Sequence, residues 1–327
     1  MKDLRVHIHN EFSQYEDFFA ETLSSKQPIL SDVFQYVHSL RGKQMRPTLV
    51  LLSAAICRGV TTKTLQTAVA LELTHTASLL HDDVVDASPT RRGKEAVHEK
   101  WTNKIAVLTG DYMFAKVIGL LADIRNASIL TIISNMSKAL TGGELLQLHA
   151  GQSMWITEKQ YFQIIEKKTA CLFAACSEGG AASSGATSRQ TTAMRNYGMH
   201  LGMCFQIKDD ILDYSDVEDI GKPTMNDIQD GKTTLPLLIS LQRAPKEEAD
   251  NIREKAEALA YKYPNINPFE IEQDIKSFVL RYDGIRYAQQ IMETHRHKAL
   301  EALSIFPNNK YKESLIDLLD YAINRVK

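Results

Sequence analysis

The spacing of hydrophobic and polar residues predicts helices along almost the whole chain. In the segment "LQTAVALELTHTASLLHDDVVD", residues 65–86, apolar side chains recur every three or four positions until the aspartates begin. Ser31 is expected to cap the segment "DVFQYVHSL". Pro47 suits the first turn of a helix that continues through "TLVLLSAAIC" and stops near Gly59. The first part of the chain is therefore predicted to be helical.

Helical periodicity continues to the end of the chain. Thr157 and Gln160 have the spacing of a capping box, which marks the start of one helix. The further helices are predicted at roughly residues 96–122, 127–152, 158–178, 190–216, 233–242, 247–260, 268–281, 284–304 and 310–326. Alternation of the kind found in strands is almost absent, so the chain is predicted to be all-α with about a dozen helices.

The length of the chain allows a sizeable core. With 327 residues, of which 44% are hydrophobic, it is able to form one large domain or two fused domains. No stretch rich in serine, glycine or proline separates two parts of the sequence. We therefore predict a single domain over residues 1–327.

Composition and charge narrow the functional classes. The formal net charge of −2 disfavours a nucleic-acid-binding protein, which usually carries a basic surplus. The four cysteines have no CxxC spacing and the N-terminal residues lack the apolar segment of a signal peptide, so a cytoplasmic location is expected. No apolar run approaches the roughly 18–20 residues that cross a bilayer, which limits the predicted membrane contact to a peripheral one.

Two copies of one acidic motif occur 127 positions apart, in the segments "HDDVVDASPTRRG" (81–93) and "QIKDDILDYSD" (206–216). The motif is DDxxD in both copies, with Asp82, Asp83 and Asp86 in the first and Asp209, Asp210 and Asp213 in the second. On a helix the first and last aspartates share one face, where like charges repel unless a cation lies between them. Mg²⁺ is the natural cation, because it takes one or two carboxylates and keeps its other positions for water and substrate phosphates. Two such clusters indicate a diphosphate held through several Mg²⁺ ions.

Basic residues near these motifs strengthen the indication of a phosphorylated substrate. They are Lys43, Arg46, Arg91, Arg92, Lys168, Lys222 and Lys232. Each alone is an ordinary surface charge, but together they exceed what one diphosphate requires. Arginine binds phosphate oxygens bidentately and lysine acts as a point charge, so the set is sufficient for two diphosphates, one on metal ions and one on side chains alone.

Together these segments resemble the trans-polyprenyl diphosphate synthases over nearly the full length of the chain. The matching segments occur in the family's order: "GKQMRP", "HTASLLHDDVVDASPTRRG", "LTGDYMFAK", "GGELLQL", "KKTA", "FQIKDDILD" and "GKPTMNDIQDGKTTLPLL". The resemblance implies an all-helical isoprenoid synthase fold with a deep central cavity, in a protein that is usually a homodimer. It also implies two substrates, isopentenyl diphosphate and an allylic diphosphate.

The resemblance implies a role for each matching residue. The main ligands of up to three Mg²⁺ ions would be Asp82, Asp86 and Asp209, and further ligands or hydrogen-bond acceptors would be Asp83, Asp210 and Asp213. The allylic diphosphate would be bound by Arg91, Lys168, Thr169, Gln206, Lys222 and Lys232. Isopentenyl diphosphate would be bound by Lys43, Arg46, Arg92 and His75, the last of which lies seven residues before Asp82 on the same helix face. The residues that carry catalysis would be Asp82, Asp86, Asp209, Lys168 and Lys222.

The implied reaction is an ionisation followed by a condensation. Cleavage of the allylic C–O bond releases diphosphate, whose developing charge Mg²⁺ and the lysines stabilise. The double bond of isopentenyl diphosphate attacks the allylic cation, and a proton leaves to the departing diphosphate. A cation of this kind has to be kept from water, which explains why the helices are apolar below their aspartates.

Product length is expected to depend on small residues below the first motif. Ala77 and Ser78 lie five and four residues before Asp82, at the level where short-chain family members have an aromatic ring. Thr74 lies one turn deeper, and Ile133 and Met136 are candidates for the lower floor. Because two further turns add roughly 11 Å of depth, we predict a product of roughly six to nine isoprene units, octaprenyl diphosphate being favoured.

Several other functions compete with this interpretation. A short-chain synthase making farnesyl or geranylgeranyl diphosphate would require a closed floor, and a class I terpene cyclase normally lacks the second motif. A P-loop nucleotidase requires a glycine where Asn226 stands and a preceding strand. A non-catalytic partner subunit of a heteromeric synthase would have lost aspartates from one motif, and a purely structural helical protein would have no use for either.

Overall fold

The chain is all-helical, as its periodicity predicts. The structure, a computed structural model, describes residues 3–150, 154–215 and 224–325. In the first half of the chain the α-helices are α1 His9–Thr22, α2 Pro28–Ser39, α3 Met45–Cys57, α4 Thr62–Val85, α5 Val97–Lys100, α6 Asn103–Ile124 and α7 Ala127–Ala150. They are followed by α8 Glu158–Ile165, α9 Cys171–Ser183, α10 Ser188–Leu212, α11 Asn226–Gln229, α12 Leu235–Arg243, α13 Lys246–Ala260, α14 Pro268–Arg281, α15 Gly284–Ala302 and α16 Lys310–Asn324.

Local capping explains where several helices begin and end. α3 has Pro47 in its first turn and ends at Cys57, two residues before Gly59, whose φ of +97° is left-handed. Thr157 and Gln160 form the predicted capping box at the start of α8, each side chain accepting a hydrogen bond from the backbone N–H of the other residue. Both of these helix boundaries are therefore confirmed.

Two helix boundaries differ from the prediction. Ser31 does not cap α2, because the helix already begins at Pro28, whose fixed φ suits the first helical position. Ser31 lies inside the helix and its backbone N–H donates to the carbonyl oxygen of Gln27. The predicted helix 96–122 is two helices, because the side chain of Thr102 caps α6 and interrupts the run.

A π-helical segment interrupts the helix predicted at residues 158–178. It covers Glu166–Ala170, between α8 and α9, and contains Lys168 and Thr169. A π turn holds one residue more than an α turn, and such segments are frequent at functional sites. Nothing in the hydrophobic pattern predicts it.

A short hairpin follows α4. The strands β1 Thr90–Arg91 and β2 Lys94–Glu95 pair antiparallel, with Thr90 opposite Glu95. The tight turn between them uses left-handed backbone at Arg92 and Gly93. These are the only strands in the described ranges, which agrees with the near absence of strand patterns in the sequence.

The chain comprises two compact units. The first contains Met1–Ser137, Ala175–Arg195 and Leu303–Asp317, and the second contains Lys138–Ala174, Asn196–Ala302 and Leu318–Lys327. In the first unit α4 packs against α1, α3 and α6. Gly110 of α6 permits a close approach to α4, since a Cβ there would lie 2.3 Å from His81 Nε2. The single domain over residues 1–327 stays a prediction.

The second unit has its own core, built mainly from the C-terminal helices. α12 packs against α13, α14 and α15. Leu237 of α12, Ala256 of α13 and Ile275 of α14 are fully buried within this core. Gly284 starts α15 in contact with α12, because a Cβ at this position would lie 2.1 Å from the carbonyl oxygen of Pro236. Packing of small and apolar residues therefore holds these helices together.

One helix of the described ranges, α6, is long and apolar enough to cross a membrane by length and composition alone. The prediction that no such stretch exists is wrong by this measure, because Asp111 and Lys116 interrupt the run without abolishing its hydropathy. Only 28% of the stretch is buried. Leu108 and Ile118 are 65% and 69% exposed, so α6 presents an apolar outer face.

Candidate active site

The first aspartate motif lies at the C-terminal end of α4 and is held there by an ion pair. Asp83 is 2% exposed, and Arg91 Nε donates to its Oδ1 at 2.9 Å while Nη2 contacts the same oxygen. The chain turns back after α4, so that β1 brings Arg91 to the helix end only eight residues further along. The charge of Asp83 is therefore neutralised by the protein itself.

Asp82 and Asp86 are more accessible than Asp83. Asp82 is half-buried, and Asp86 is exposed at the C-cap of α4, where its backbone N–H donates to the carbonyl oxygen of Asp82 at 2.8 Å. Since the two residues are one turn apart, their side chains share a helix face. The two aspartates predicted as main metal ligands are thus the ones that solvent reaches.

Three of the four residues predicted to bind isopentenyl diphosphate interact electrostatically within the first unit: His75, Arg46 and Arg92. Burial lowers the pKa of His75 well below its ordinary value, and the guanidinium groups of Arg46, Arg92 and Arg91 lower it further. The imidazole is consequently neutral at pH 7 and able to donate a hydrogen bond. Arg92 donates to the carbonyl oxygen of Leu40.

Lys43, the fourth of these residues, lies in the loop before α3. Its side chain is exposed, and its carbonyl oxygen accepts a hydrogen bond from Arg5 at 2.5 Å. Gly42 beside it leaves room for Arg92, because a Cβ at Gly42 would lie 2.8 Å from the Arg92 Cζ atom. A larger residue at this position would require the guanidinium of Arg92 to shift.

The second aspartate motif lies at the C-terminal end of α10, and Arg325 holds its first residue. Arg325 Nη2 lies 2.7 Å from Asp209 Oδ1 and also donates to the carbonyl oxygen of Phe205 at 2.8 Å. The guanidinium carbon lies 3.8 Å from the centre of the Phe205 ring, and the arginine side chain is 10% exposed. A residue close to the C-terminus therefore fixes the carboxylate of Asp209.

Asp210 is buried and receives hydrogen bonds on both oxygens. Tyr161 Oη donates to Oδ2 at 2.6 Å and Gln206 Nε2 donates to Oδ1 at 2.8 Å. Burial raises the pKa of Asp210 well above its ordinary value, and the nearby charge of Asp227 raises it further. The partners of Asp210 are neutral, so its carboxyl group is stabilised by hydrogen bonds alone. The carboxylate of Asp83 is instead paired with the cation of Arg91.

Asp213 ends the motif just after α10 and binds backbone amides. Its two oxygens accept hydrogen bonds from Asn226 N at 3.1 Å and Asp227 N at 3.2 Å. Burial, followed by the charge of Asp227, raises the pKa of Asp213 to about 6. Burial also raises the pKa of Asp227 itself, which Lys232 and Lys168 counteract. Negative charge is therefore crowded at this point of the second unit.

Lys168 and Thr169 are oriented by different partners. Lys168 Nζ lies 2.7 Å from Oε2 of Glu144 on α7. Thr169 Oγ1 donates to Gln206 Oε1 at 2.7 Å, which extends the hydrogen-bond chain from Thr169 through Gln206 to Asp210. The π-helical segment thus points two consecutive polar side chains at two different helices.

A cavity of about 200 Å³ in the second unit collects most of the residues predicted to bind the allylic diphosphate. Its polar lining residues are Gln147, Lys168, Thr169, Gln206, Asp210, Asp227, Lys232, Thr233 and Thr234. Its apolar lining residues include Met154, Ile156, Ile164 and Ile165. Of the other two predicted residues, Arg91 belongs to the first unit and Lys222 lies outside the described residues.

The residues predicted to set product length are all in the first unit. Ala77 is fully buried, Thr74 is 2% exposed, and Ile133 and Met136 are each 3% exposed. Ser78 is half-buried and its hydroxyl donates to the carbonyl oxygen one turn before it. Their role stays a prediction.

The carboxylates fit a hard divalent cation by chemistry, although the protein engages several of them. Among the described residues no group of three or more His, Cys, Asp or Glu side chains is arranged as a ready metal site. Asp83, Asp209 and Asp210 each have protein partners instead. Burial, and after it the charge of neighbouring aspartates, raises the pKa of Asp213 and Asp227, and a bound cation would offset this unfavourable negative charge.

Sequence reasoning missed four polar residues that hold this site. They are Glu144, Tyr161, Asp227 and Arg325. Asp227 had a detectable signal, because it lies in the quoted segment "GKPTMNDIQDGKTTLPLL". Glu144 lies in another quoted segment, "GGELLQL", whereas Tyr161 and Arg325 are far along the chain from their partners and carry no local pattern.

Comparison with known proteins gives one consistent result. The polyprenyl synthetase family model matches residues 27–263. The chain is 35% identical over 328 residues to an all-trans-nonaprenyl-diphosphate synthase (geranyl-diphosphate specific) of Rhodobacter capsulatus, covering 100% of this chain and 98% of that relative. It is 32% identical over 304 residues to an octaprenyl diphosphate synthase of Haemophilus influenzae, covering 93% and 90%.

A solved structure agrees in fold over almost the entire chain. It is a polyprenyl synthase of Caulobacter crescentus complexed with calcium and isoprenyl diphosphate, with a TM-score of 0.89, 32% identity, and coverage of 99% of this chain and 97% of that one. The isoprenoid synthase fold predicted from the motifs is therefore confirmed. On these matches, and on the two aspartate motifs at their helix ends, the chain belongs to the polyprenyl synthetase family and is a prenyltransferase.

Proposed function

We propose that the chain condenses isopentenyl diphosphate with an allylic diphosphate to give a long-chain all-trans polyprenyl diphosphate. Octaprenyl diphosphate, a precursor of quinone side chains, is the favoured product and farnesyl diphosphate the favoured primer. Similarity to synthases named for octaprenyl and nonaprenyl products supports the long chain. It disfavours the short-chain alternative and the terpene cyclase.

The cavity of the second unit is the observation that carries this proposal. Two lysines, a threonine and a glutamine, all predicted to bind the allylic diphosphate, line the same small space: Lys168, Lys232, Thr169 and Gln206. Ammonium groups and amide or hydroxyl donors are what a diphosphate requires. The apolar residues of the same lining suit a prenyl chain.

Each substrate has its own residues in the proposed reaction. Lys168 and Lys232 stabilise the charge that develops on the departing diphosphate. Arg46 and Arg92 bind isopentenyl diphosphate, and neutral His75 donates a hydrogen bond to it. The C–O bond of the allylic substrate breaks and a C–C bond to isopentenyl diphosphate forms. The proton that isopentenyl diphosphate then loses goes to the released diphosphate.

Magnesium is the proposed cofactor, with up to three ions per site. Asp82, Asp86 and Asp209 would be its main ligands, and the oxygen-only donor set suits a hard cation. Bound Mg²⁺ supplies positive charge that stabilises the leaving diphosphate. Asp83 and Asp210 are better suited to orienting their neighbours, because both are 2% exposed and engaged by protein groups.

We also propose that the enzyme is a cytoplasmic homodimer. The apolar outer face of α6, with Leu108 and Ile118, suits contact with a second copy of the chain, and the contact would cover it from water. The four cysteines form no disulfide in the described structure, which supports a reducing compartment. Light scattering of Ile118→Glu against the unmodified enzyme tests the dimer: monomers are expected for the variant, and an unchanged dimer would exclude this face.

Product analysis tests the proposed activity. The pure enzyme is incubated with labelled isopentenyl diphosphate, farnesyl diphosphate and Mg²⁺, and the dephosphorylated products are sized. All-trans products of six to nine isoprene units are expected. Products of only three or four units would contradict the long-chain assignment. Absence of Mg²⁺-dependent diphosphate release would contradict the whole proposal.

A further inference from the structure

Glu144 and Lys168 form an ion pair that the proposed reaction does not by itself require. Glu144 Oε2 lies 2.7 Å from Lys168 Nζ, and the two side chains are 17% and 33% exposed. Lys168 lines the cavity, whereas Glu144, on α7, is not among its lining residues. We propose that Glu144 is a positioning residue that orients the Lys168 ammonium toward the allylic diphosphate, an inference that rests on the function proposed above.

The backbone around the pair is fixed by close packing. A Cβ at Gly143 would lie 2.9 Å from both Lys167 Cβ and Lys168 N, so α7 touches the π-helical segment at this point. The distance between Glu144 and Lys168 is therefore set by rigid elements. A lysine has four flexible carbons in its side chain, and a fixed counter-ion removes much of that freedom.

The second oxygen of Glu144 is available for a further hydrogen bond. Oε1 is buried and, among the atoms of the described residues, has no hydrogen-bond partner. An acceptor left open in this way is unfavourable and is retained only where something compensates for it. A water molecule ordered when the diphosphate binds would complete its hydrogen bonding.

The pair is also compatible with ligand binding. An ammonium has three donors, so one hydrogen bond to Glu144 leaves Lys168 able to bind phosphate oxygens. The negative charge of Glu144 balances the positive charge of Lys168 in a partly buried place. Glu144 thus acts on the substrate through Lys168.

A double-mutant cycle tests the inference. Glu144→Ala, Lys168→Ala and the double variant are compared with the unmodified enzyme for the KM of farnesyl diphosphate, the KM of isopentenyl diphosphate and the affinity for inorganic diphosphate by calorimetry. Glu144→Ala is expected to raise the KM for farnesyl diphosphate by about 10-fold and to leave that for isopentenyl diphosphate within about 2-fold. In the Lys168→Ala background the same change is expected to have no further effect.

Two matched variants separate positioning from packing and from general charge. Glu144→Gln keeps the size of the side chain and a hydrogen-bond acceptor, so it is expected to recover part of the affinity for farnesyl diphosphate that Glu144→Ala loses. It also serves as the test variant if Glu144→Ala unfolds. Glu166→Ala removes an exposed glutamate two residues from Lys168 and is expected to leave both KM values unchanged.

The outcomes distinguish this inference from the proposed function. An equal rise in both KM values, or a further 10-fold loss in the Lys168→Ala background, would overturn the positioning role. Unchanged KM values in Glu144→Ala, together with a raised KM for farnesyl diphosphate in Lys168→Ala, would also overturn the positioning role. The proposed function would then remain intact. A silent Lys168→Ala would instead contradict the assignment of Lys168 to the allylic diphosphate.

Discussion

The two DDxxD motifs have identical spacing but different surroundings. In both, the middle aspartate is the buried one, since Asp83 and Asp210 are each 2% exposed. Asp83 is neutralised by Arg91, whereas Asp210 accepts hydrogen bonds from the neutral groups of Tyr161 and Gln206. The same spacing therefore buries the same aspartate in both motifs. Whether a positive charge lies beside that aspartate depends on the elements packed around it.

The helices below the motifs differ in a second way. Five and four residues before the first aspartate, α4 has Ala77 and Ser78, while the same positions of α10 have Cys204 and Phe205. The ring of Phe205 is covered by the guanidinium of Arg325. Only the helix of the first motif thus lacks an aromatic ring at this level, and the predicted control of product length lies on that helix.

The largest expected effect comes from removing the first aspartate of either motif. Asp82→Ala and Asp209→Ala are each expected to lower kcat by about 10²–10³-fold, because each deletes a predicted metal ligand that supports the leaving diphosphate. Steady-state kinetics at saturating substrate gives the values. Asp317→Ala, at an exposed position of α16, is the control. Near-normal turnover in one of the two variants would mean that only the other motif serves catalysis.

A ring introduced below the first motif is expected to shorten the product. Ala77→Phe should give about three or four isoprene units while condensation continues, since the ring fills the predicted passage. Its cost in stability should be much less than the roughly 1–3 kcal/mol of overpacking a tight core. Met136→Ala, which widens the predicted floor, should lengthen the product by at least one unit. An active Ala77→Phe enzyme that still makes the unmodified length would exclude this helix face from the passage.

The two buried aspartates, Asp83 and Asp210, allow a test of whether an ion pair and a neutral hydrogen bond contribute differently to stability. Arg91→Gln leaves Asp83 without its cation and is expected to reduce the free energy of unfolding by about 2–3 kcal/mol. Tyr161→Phe removes one neutral hydrogen bond from Asp210 and is expected to reduce it by about 1–1.5 kcal/mol. Denaturant unfolding measures both. Equal costs would contradict the distinction between charge pairing and hydrogen bonding.

The smallest expected effect is a pH dependence of stability at Asp213. Its pKa in the fold is about 6, above the ordinary value of 3.8, because burial and Asp227 disfavour the charged form. The stability it contributes is therefore complete below the ordinary pKa and is lost as pH rises through about 6. Between pH 5 and 7 the loss is about 1 kcal/mol in metal-free enzyme, and Asp213→Asn should abolish it. A pH profile unchanged by that substitution would assign the effect to another group.

The sequence predicted the helical class, most helix spans and the motif positions, because these depend on local periodicity and on a dense set of family-like segments. The pairing of Arg91 with Asp83 is also within reach of sequence, since the two residues are only eight positions apart along the chain. Tyr161 and Arg325 were beyond it, being 49 and 116 residues from their aspartate partners. Such contacts are created by tertiary packing and leave no local pattern.

The π-helical segment Glu166–Ala170 has a consequence for how this region tolerates change. A π turn takes in one residue more than an α turn over about the same rotation, so deleting one residue here would restore a regular α-helix and leave the side chains of α8 and α9 facing as they do now. Tyr161 would still face Asp210, whereas the directions of Lys168 and Thr169 inside the segment would change. The extra residue accordingly serves the contacts of Lys168 with Glu144 and of Thr169 with Gln206, and a one-residue deletion would cost those contacts rather than the register of the flanking helices.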